Sequence, residues 1–138
     1  MAEEEFTHGP DGAPFSEKFK AGLKVRKEVL GEAYVNAAVG KATEYSFPMQ
    51  ELVTQYCWDE IWNRPGLARR ERSILNLGML SALNRKHELK AHVRGAINNG
   101  LTKEEIREIF LQVTIYCGVP AGIDSFRAAQ EVLDEMGI

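Results

Sequence analysis

The chain has 138 residues, 44% hydrophobic and 27% charged, with a net charge of −3, which suits a folded protein with its own core and excludes a disordered one. Its longest uncharged run, Ile109 to Ile123, is 15 residues and holds Gln112, Gly118 and Pro120, short of the roughly 20 apolar residues of a membrane span. The acidic start, Met-Ala-Glu-Glu-Glu, carries no export or transit pattern, so a cytoplasmic location is expected.

Residues 1–13, with Gly9-Pro10-Asp11-Gly12, read as a flexible lead, and residues 14–138 as one domain. Ser16 is placed to cap a helix that runs to Leu30 and stops at Gly31, with Phe19, Leu23, Val25, Val29 and Leu30 as its apolar set. A short Ala-rich helix is expected over 33–42. Pro48 suits a first helical turn, and Leu52, Val53, Tyr56, Ile61 and Trp62 continue that helix to Pro65-Gly66. From Arg69 to Asn84 the apolar residues spread round the whole helical wheel. Such a helix is buried on all sides, either within the domain or against another subunit. The next helix spans 86–98 and ends at Gly100. Thr102-Lys103-Glu104-Glu105 is a capping box, with Leu101 and Ile106 spaced for a hydrophobic staple. Ile106, Ile109, Phe110 and Val113 form the inner face of that helix. Pro120 begins the last one, with Ile123, Phe126, Ala129 and Leu133 inward and Gly137 at its end. No run alternates with period two, so the fold expected is all-α.

Charge is unevenly spread. Between Arg64 and Arg94 stand eight Lys or Arg and two Glu, a balance of +6 in an acidic protein. That segment is a candidate neighbour for a small anionic ligand or for acidic surfaces, against the plainer reading of solvated helix faces. Nucleic-acid binding is a poor fit, because the arginines alternate with core residues. Cys57 and Cys117 belong to no Cys-x-x-Cys pair and sit among apolar residues, which predicts buried free thiols. There is no phosphate loop, dinucleotide fingerprint or nucleophile elbow, hence no expected cofactor. His87 and His92 are five apart, on different faces of a helix, so they do not make a zinc pair. Glu88 and His92, at i and i+4, do share a face. A carboxylate beside an imidazole raises its pKa and fixes its orientation, as a proton donor requires. Such pairs are also common as plain surface contacts.

Several blocks together carry a resemblance: Trp62-x-Arg64-Pro65-Gly66-Leu67, Arg69-x-x-Arg72-Ser73, Asn84-Arg85-x-x-Glu88-Leu89-x-x-His92-x-Arg94, Asn98-x-Gly100-x-Thr102-x-x-Glu105-Ile106 and Tyr116-Cys117-Gly118-Val119-Pro120-Ala121. In this order they resemble the 4-carboxymuconolactone decarboxylase family. The resemblance starts near Val25-Arg26-Lys27-Glu28-Val29-Leu30-Gly31 and reaches the C-terminus. It implies a single-domain helical bundle of the alkylhydroperoxidase D-like type that assembles into a homo-oligomeric ring, a hexamer or trimer. It implies cofactor-independent decarboxylation of 4-carboxymuconolactone to 3-oxoadipate enol-lactone in the β-ketoadipate pathway. The peroxidatic branch of the superfamily uses Cys-x-x-Cys-x-x-x-His. Set on His92, that motif puts its thiols at Arg85 and Glu88, which excludes dithiol chemistry. The family's run Ala-Asn-x-x-Phe-His reads here as Gly122-Ile123-Asp124-Ser125-Phe126-Arg127, a departure at Ile123 and Arg127 that points to a related lactone or acid.

The expected roles follow from the chemistry within those blocks. Arg64, Arg72 and Arg85 anchor the spectator carboxylate through the guanidinium fork. Trp62 and Tyr116 strip water from the leaving carboxylate. His92 delivers the proton and Glu88 orients it. The conjugated lactone is its own electron sink, so no cofactor or metal is called for. The other reading is a non-peroxidatic paralogue with a different small anionic substrate or a mainly oligomeric role.

Overall fold

The computed structural model describes residues 7–138; residues 1–6, the start of the expected lead, lie outside the described part. Among the described residues every regular element is helical. They group into two compact units that meet in sequence at Pro65-Gly66, the pair of helix breakers.

In the first unit, residues 7–15 form a hydrogen-bonded loop. Gly9 N–H donates to Ala13 O at 3.0 Å and Phe15 N–H to Thr7 O at 3.1 Å. The loop delivers Phe15 onto Phe19 and Phe47, with ring centroids 4.3 and 6.1 Å away. Helix α1, Glu17–Leu30, begins at Ser16, whose hydroxyl accepts from Phe19 N–H at 3.1 Å, and its five expected apolar residues are all buried. Helix α2 is Glu32–Gly40. Helix α3, Phe47–Leu52, carries Pro48 in its first turn and continues as a π-helix, Val53–Ile61. The sequence reads this stretch as one ordinary helix; the wider winding changes which residues face in. Thr54, Trp58 and Trp62 are buried, while Leu52, Tyr56 and Ile61 are about half exposed. Helix α1 packs against the π segment at Gly22, where a Cβ would stand 1.9 Å from the Thr54 carbonyl oxygen. Only glycine permits that approach.

The second unit is a four-helix arrangement: α4 Arg69–Ala82, α5 Lys86–Asn98, α6 Lys103–Cys117 and α7 Val119–Met136. Leu77, Val93, Ile106 and Phe110 lie at its centre, each 1% exposed or less. Burying a side chain of this size contributes about 1.5–3 kcal/mol. The capping box forms as expected: Glu105 N–H donates to Thr102 Oγ1 and Thr102 N–H to Glu105 Oε1, both at 3.1 Å. Leu101 and Ile106 are both buried beside it. Gly118, at φ 101°, joins α6 to α7 in a conformation open to glycine. On α7 the inward residues are Gly122, Ser125, Ala128, Ala129, Val132 and Leu133, whereas Ile123 and Phe126 are 45% and 38% exposed. Placing Ile123 and Phe126 inward is therefore corrected. Gly122 lies where a Cβ would meet Thr114 Oγ1 at 1.9 Å, and that close crossing turns the small-residue face of α7 onto α6.

Helix α4 departs most from expectation. It buries only Ser73, Leu77 and Ser81, and it exposes Ile74, Leu75 and Met79. With Gly78, Ala82, Ile109 and Val113 these line an apolar groove of about 640 Å³. The expectation of burial on all sides within the chain is therefore corrected: α4 keeps one apolar side open.

Candidate active site

Half of the basic residues of the middle third are answered by acids of the second unit. Arg70 bonds to Glu105 through both guanidinium nitrogens, one at 3.0 Å, and this holds the Glu105 carboxyl down to about 2. Lys86, Lys90 and Arg94, one turn apart on α5, pair with Asp124, Glu131 and Glu135 of α7. Four of the eight basic residues thus serve helix pairing. Surface pairs of this kind contribute little each, about 0–1 kcal/mol.

What remains in the second unit converges on α5. Its inner side buries Leu89, Val93 and Ala96. Glu88 and His92 stand at the edge of that side, one turn apart, Glu88 exposed and His92 half-buried. Asn76 of α4, not singled out from the sequence, donates its amide to His92 Nδ1 at 3.4 Å. With Nδ1 accepting, the neutral ring carries its proton on Nε2. Arg72 lies one turn before Asn76 on α4 and is half-buried, so it shares the face that meets α5. Farther along, Asn99 ties the same two helices, donating to Ser73 Oγ at 2.8 Å and to Arg69 O at 3.4 Å.

The electrostatics of His92 differ from the expectation. Burial pushes its pKa down to about 4, and the Glu88 carboxylate only partly offsets this. Glu88 acts in the expected direction, but loss of water is the larger effect, since charging a ring taken out of water forfeits hydration. The imidazole is neutral at neutral pH.

The other expected site residues are less gathered. Arg85 sits at the N-terminal boundary of α5 and is exposed, following Asn84, whose φ is 59°. Tyr116, near the end of α6, is 80% exposed. In the first unit, Trp62 is buried and stacked on Trp58 at 4.8 Å, and Arg64 follows it on exposed chain. Both thiols contradict the buried expectation: Cys57 and Cys117 are exposed, because each falls on the outer side of its helix. Desolvation nonetheless pushes the Cys57 thiol up. Among the described residues no group of three or more His, Cys, Asp or Glu is placed to hold a metal ion, and no helix is long and apolar enough to cross a membrane.

Residues 48–131 match the Carboxymuconolactone decarboxylase family. The chain is 46% identical over 118 residues to nitrosuccinic acid decarboxylase of Metarhizium robertsii, covering 86% of this chain and 82% of that one. It is 39% identical over 122 residues to 4-carboxymuconolactone decarboxylase of Acinetobacter baylyi, covering 88% and 91%. A 15.0 kDa uncharacterized protein of Paracoccus denitrificans is 34% identical over 96 residues, covering 63% and 72%.

Proposed function

The chain belongs to the carboxymuconolactone decarboxylase family and is a carboxy-lyase, and we propose that it releases CO2 from a small acid with a second carboxylate and a built-in electron sink. The first such acid is 4-carboxymuconolactone, giving 3-oxoadipate enol-lactone in the β-ketoadipate pathway, in the cytoplasm. One observation carries the reading: Asn76 of α4 hydrogen-bonds His92 of α5, whose charge the Glu88 carboxylate favours, and Arg72 lies one turn before Asn76 on α4. The purely structural role has no such support, since two relatives are decarboxylases.

Decarboxylation exchanges a carboxylate for a C–H bond and consumes one proton. The leaving electron pair moves into the conjugated lactone, whose oxygen takes the charge. Arg72 holds the spectator carboxylate, with Arg85 as a further anchor, and Tyr116 borders the leaving group. His92 starts neutral; a dianion beside it favours the charged ring. It therefore takes up its proton as substrate binds, with Asn76 turning its amide oxygen to Nδ1–H, and hands the Nε2 proton to carbon after CO2 departs. Glu88 eases that charging and orients the ring.

Nitrosuccinic acid is a second substrate reading. It too has two carboxylates, one on the carbon that bears its electron sink, the nitro group. Two observations favour it: the 46% identity, and Ile123 and Arg127, which depart from the lactone enzymes' run. A homo-oligomer built on the apolar groove of α4 and α6 belongs to the same proposal. Purified protein is to be offered each acid, the lactone generated in situ from carboxymuconate, while CO2 release and substrate loss are followed. Turnover of one acid well above the other is expected; turnover of neither overturns the reading.

A further inference from the structure

We propose that Arg26, with Gln50 and Thr54, forms a binding site for a carboxylate inside the first unit. Arg26 lies on the inner side of α1 and is 7% exposed. Its Nη1 donates to Gln50 Oε1 at 2.8 Å and to Thr54 Oγ1 at 3.3 Å, and both partners are neutral. Its Nε is buried and has no hydrogen-bond partner. Among the described residues the ionisable groups that bear on the guanidinium are Tyr34 and Cys57, with no Asp or Glu, and burial lowers its pKa.

A buried arginine is ordinarily matched by a carboxylate, because a desolvated and unpaired charge is costly. Among the described residues the match is missing, while the geometry for it is laid out. Gln50 and Thr54 hold the Nη1 end, which leaves the edge formed by Nε–H and Nη2–H. Those two parallel donors are the fork that receives a carboxylate with two hydrogen bonds. Gly22, one turn earlier on α1, lets the helix press onto the backbone of Thr54, so the guanidinium is held by its surroundings and not by a flexible tether. The carboxylate comes either from the substrate or from a separate small acid. The site stands apart from the substrate reading above, because a non-reactive acid reports it whether or not any acid is turned over.

Succinate, which has two carboxylates and no electron sink, is the probe. Its binding to wild type is to be measured by calorimetry and by the shift in Tm, then repeated on Arg26→Met and Arg26→Lys. Wild type should be stabilised by succinate. Arg26→Met should lose that response, with affinity down on the order of 10²-fold, as for removal of one partner of a buried charge pair; Arg26→Lys should retain part of it. A matching rise in KM for the turned-over acid identifies the occupant as substrate. Unchanged kinetics with lost succinate binding identifies a separate acid. If Arg26→Met does not fold, the near-isosteric Thr54→Val with Gln50→Leu frees the Nη1 end and should weaken succinate binding about tenfold. No response of wild type to succinate, or a response that survives these substitutions, overturns the proposal.

Discussion

His92 shows how two opposing effects on one residue are decided by their size. The neighbouring Glu88 carboxylate pulls its pKa up, burial pulls it down, and burial wins, to about 4. The unfolded chain, with a histidine near 6.5, therefore takes up this proton before the folded chain does. Stability should fall as pH drops from about 6.5 toward about 4, by at most about 3 kcal/mol. Urea melts of wild type and His92→Gln across that window check this: the substitution should flatten the slope, and parallel curves would contradict it. For activity, His92→Ala should cost ~10²–10⁴ in rate with the helical circular dichroism unchanged. If the ring must charge as substrate binds, wild-type kcat/KM should decline steadily with rising pH above about 5. Glu88→Gln should lower kcat/KM through that range, because it removes a carboxylate that eases protonation. A flat profile would instead assign His92 the role of a neutral hydrogen-bond donor.

At the scale of elements, the crossing of α1 and the π segment is set by Gly22. A methyl group there would stand 1.9 Å from a backbone oxygen and 2.8 Å from its carbon, and backbone does not yield as a side chain does. Gly22→Ala should destabilise by about 1–3 kcal/mol or more, read as a fall in Tm. A Gly66→Ala control, with nothing within 4 Å of its Cβ, should leave Tm nearly unchanged. Equal Tm values for both variants would show that the crossing relaxes freely. The α5–α7 ladder of Lys86, Lys90 and Arg94 shows a second use of element geometry. Residues four apart on one helix find acids at matching positions on its neighbour, so charges that suggest a ligand in sequence turn out to align two helices.

For the whole molecule, the exposed side of α4 is the feature that one chain leaves unexplained. Ile74, Leu75 and Met79 are 37%, 52% and 45% exposed, in an apolar groove whose far wall is α6. A groove of this kind calls for a protein partner, and a second copy of the chain supplies a self-complementary one. Light scattering at micromolar concentration should give a multiple of 15.5 kDa. Leu75→Glu with Met79→Glu should reduce it toward the monomer while preserving helicity. A monomeric wild type would refute the assembly.

Local rules made much of the chain legible. The Ser16 cap, the stop at Gly31, the capping box at Thr102 and the breakers at Pro65-Gly66 act over a few residues, and each recurs in the structure where the sequence puts it. Glu88 and His92 were also legible, because i and i+4 share a helix face whatever surrounds them. Three things depended on what packs against what. The π winding after Leu52, the orientation of Ile123 and Phe126, and the exposure of both thiols each turn on a neighbouring helix that periodicity does not reveal. Asn76 reaches His92 from another helix, 16 residues away in sequence, with no spacing rule to announce it. Arg26 carries no motif of its own: its isolation exists only where α1 meets Gln50 and Thr54. Sequence determines a helix and its ends because those hydrogen bonds are local; desolvation, which set the charge of His92 and lowers the pKa of Arg26, depends on the summed surroundings and so belongs to the tertiary structure alone.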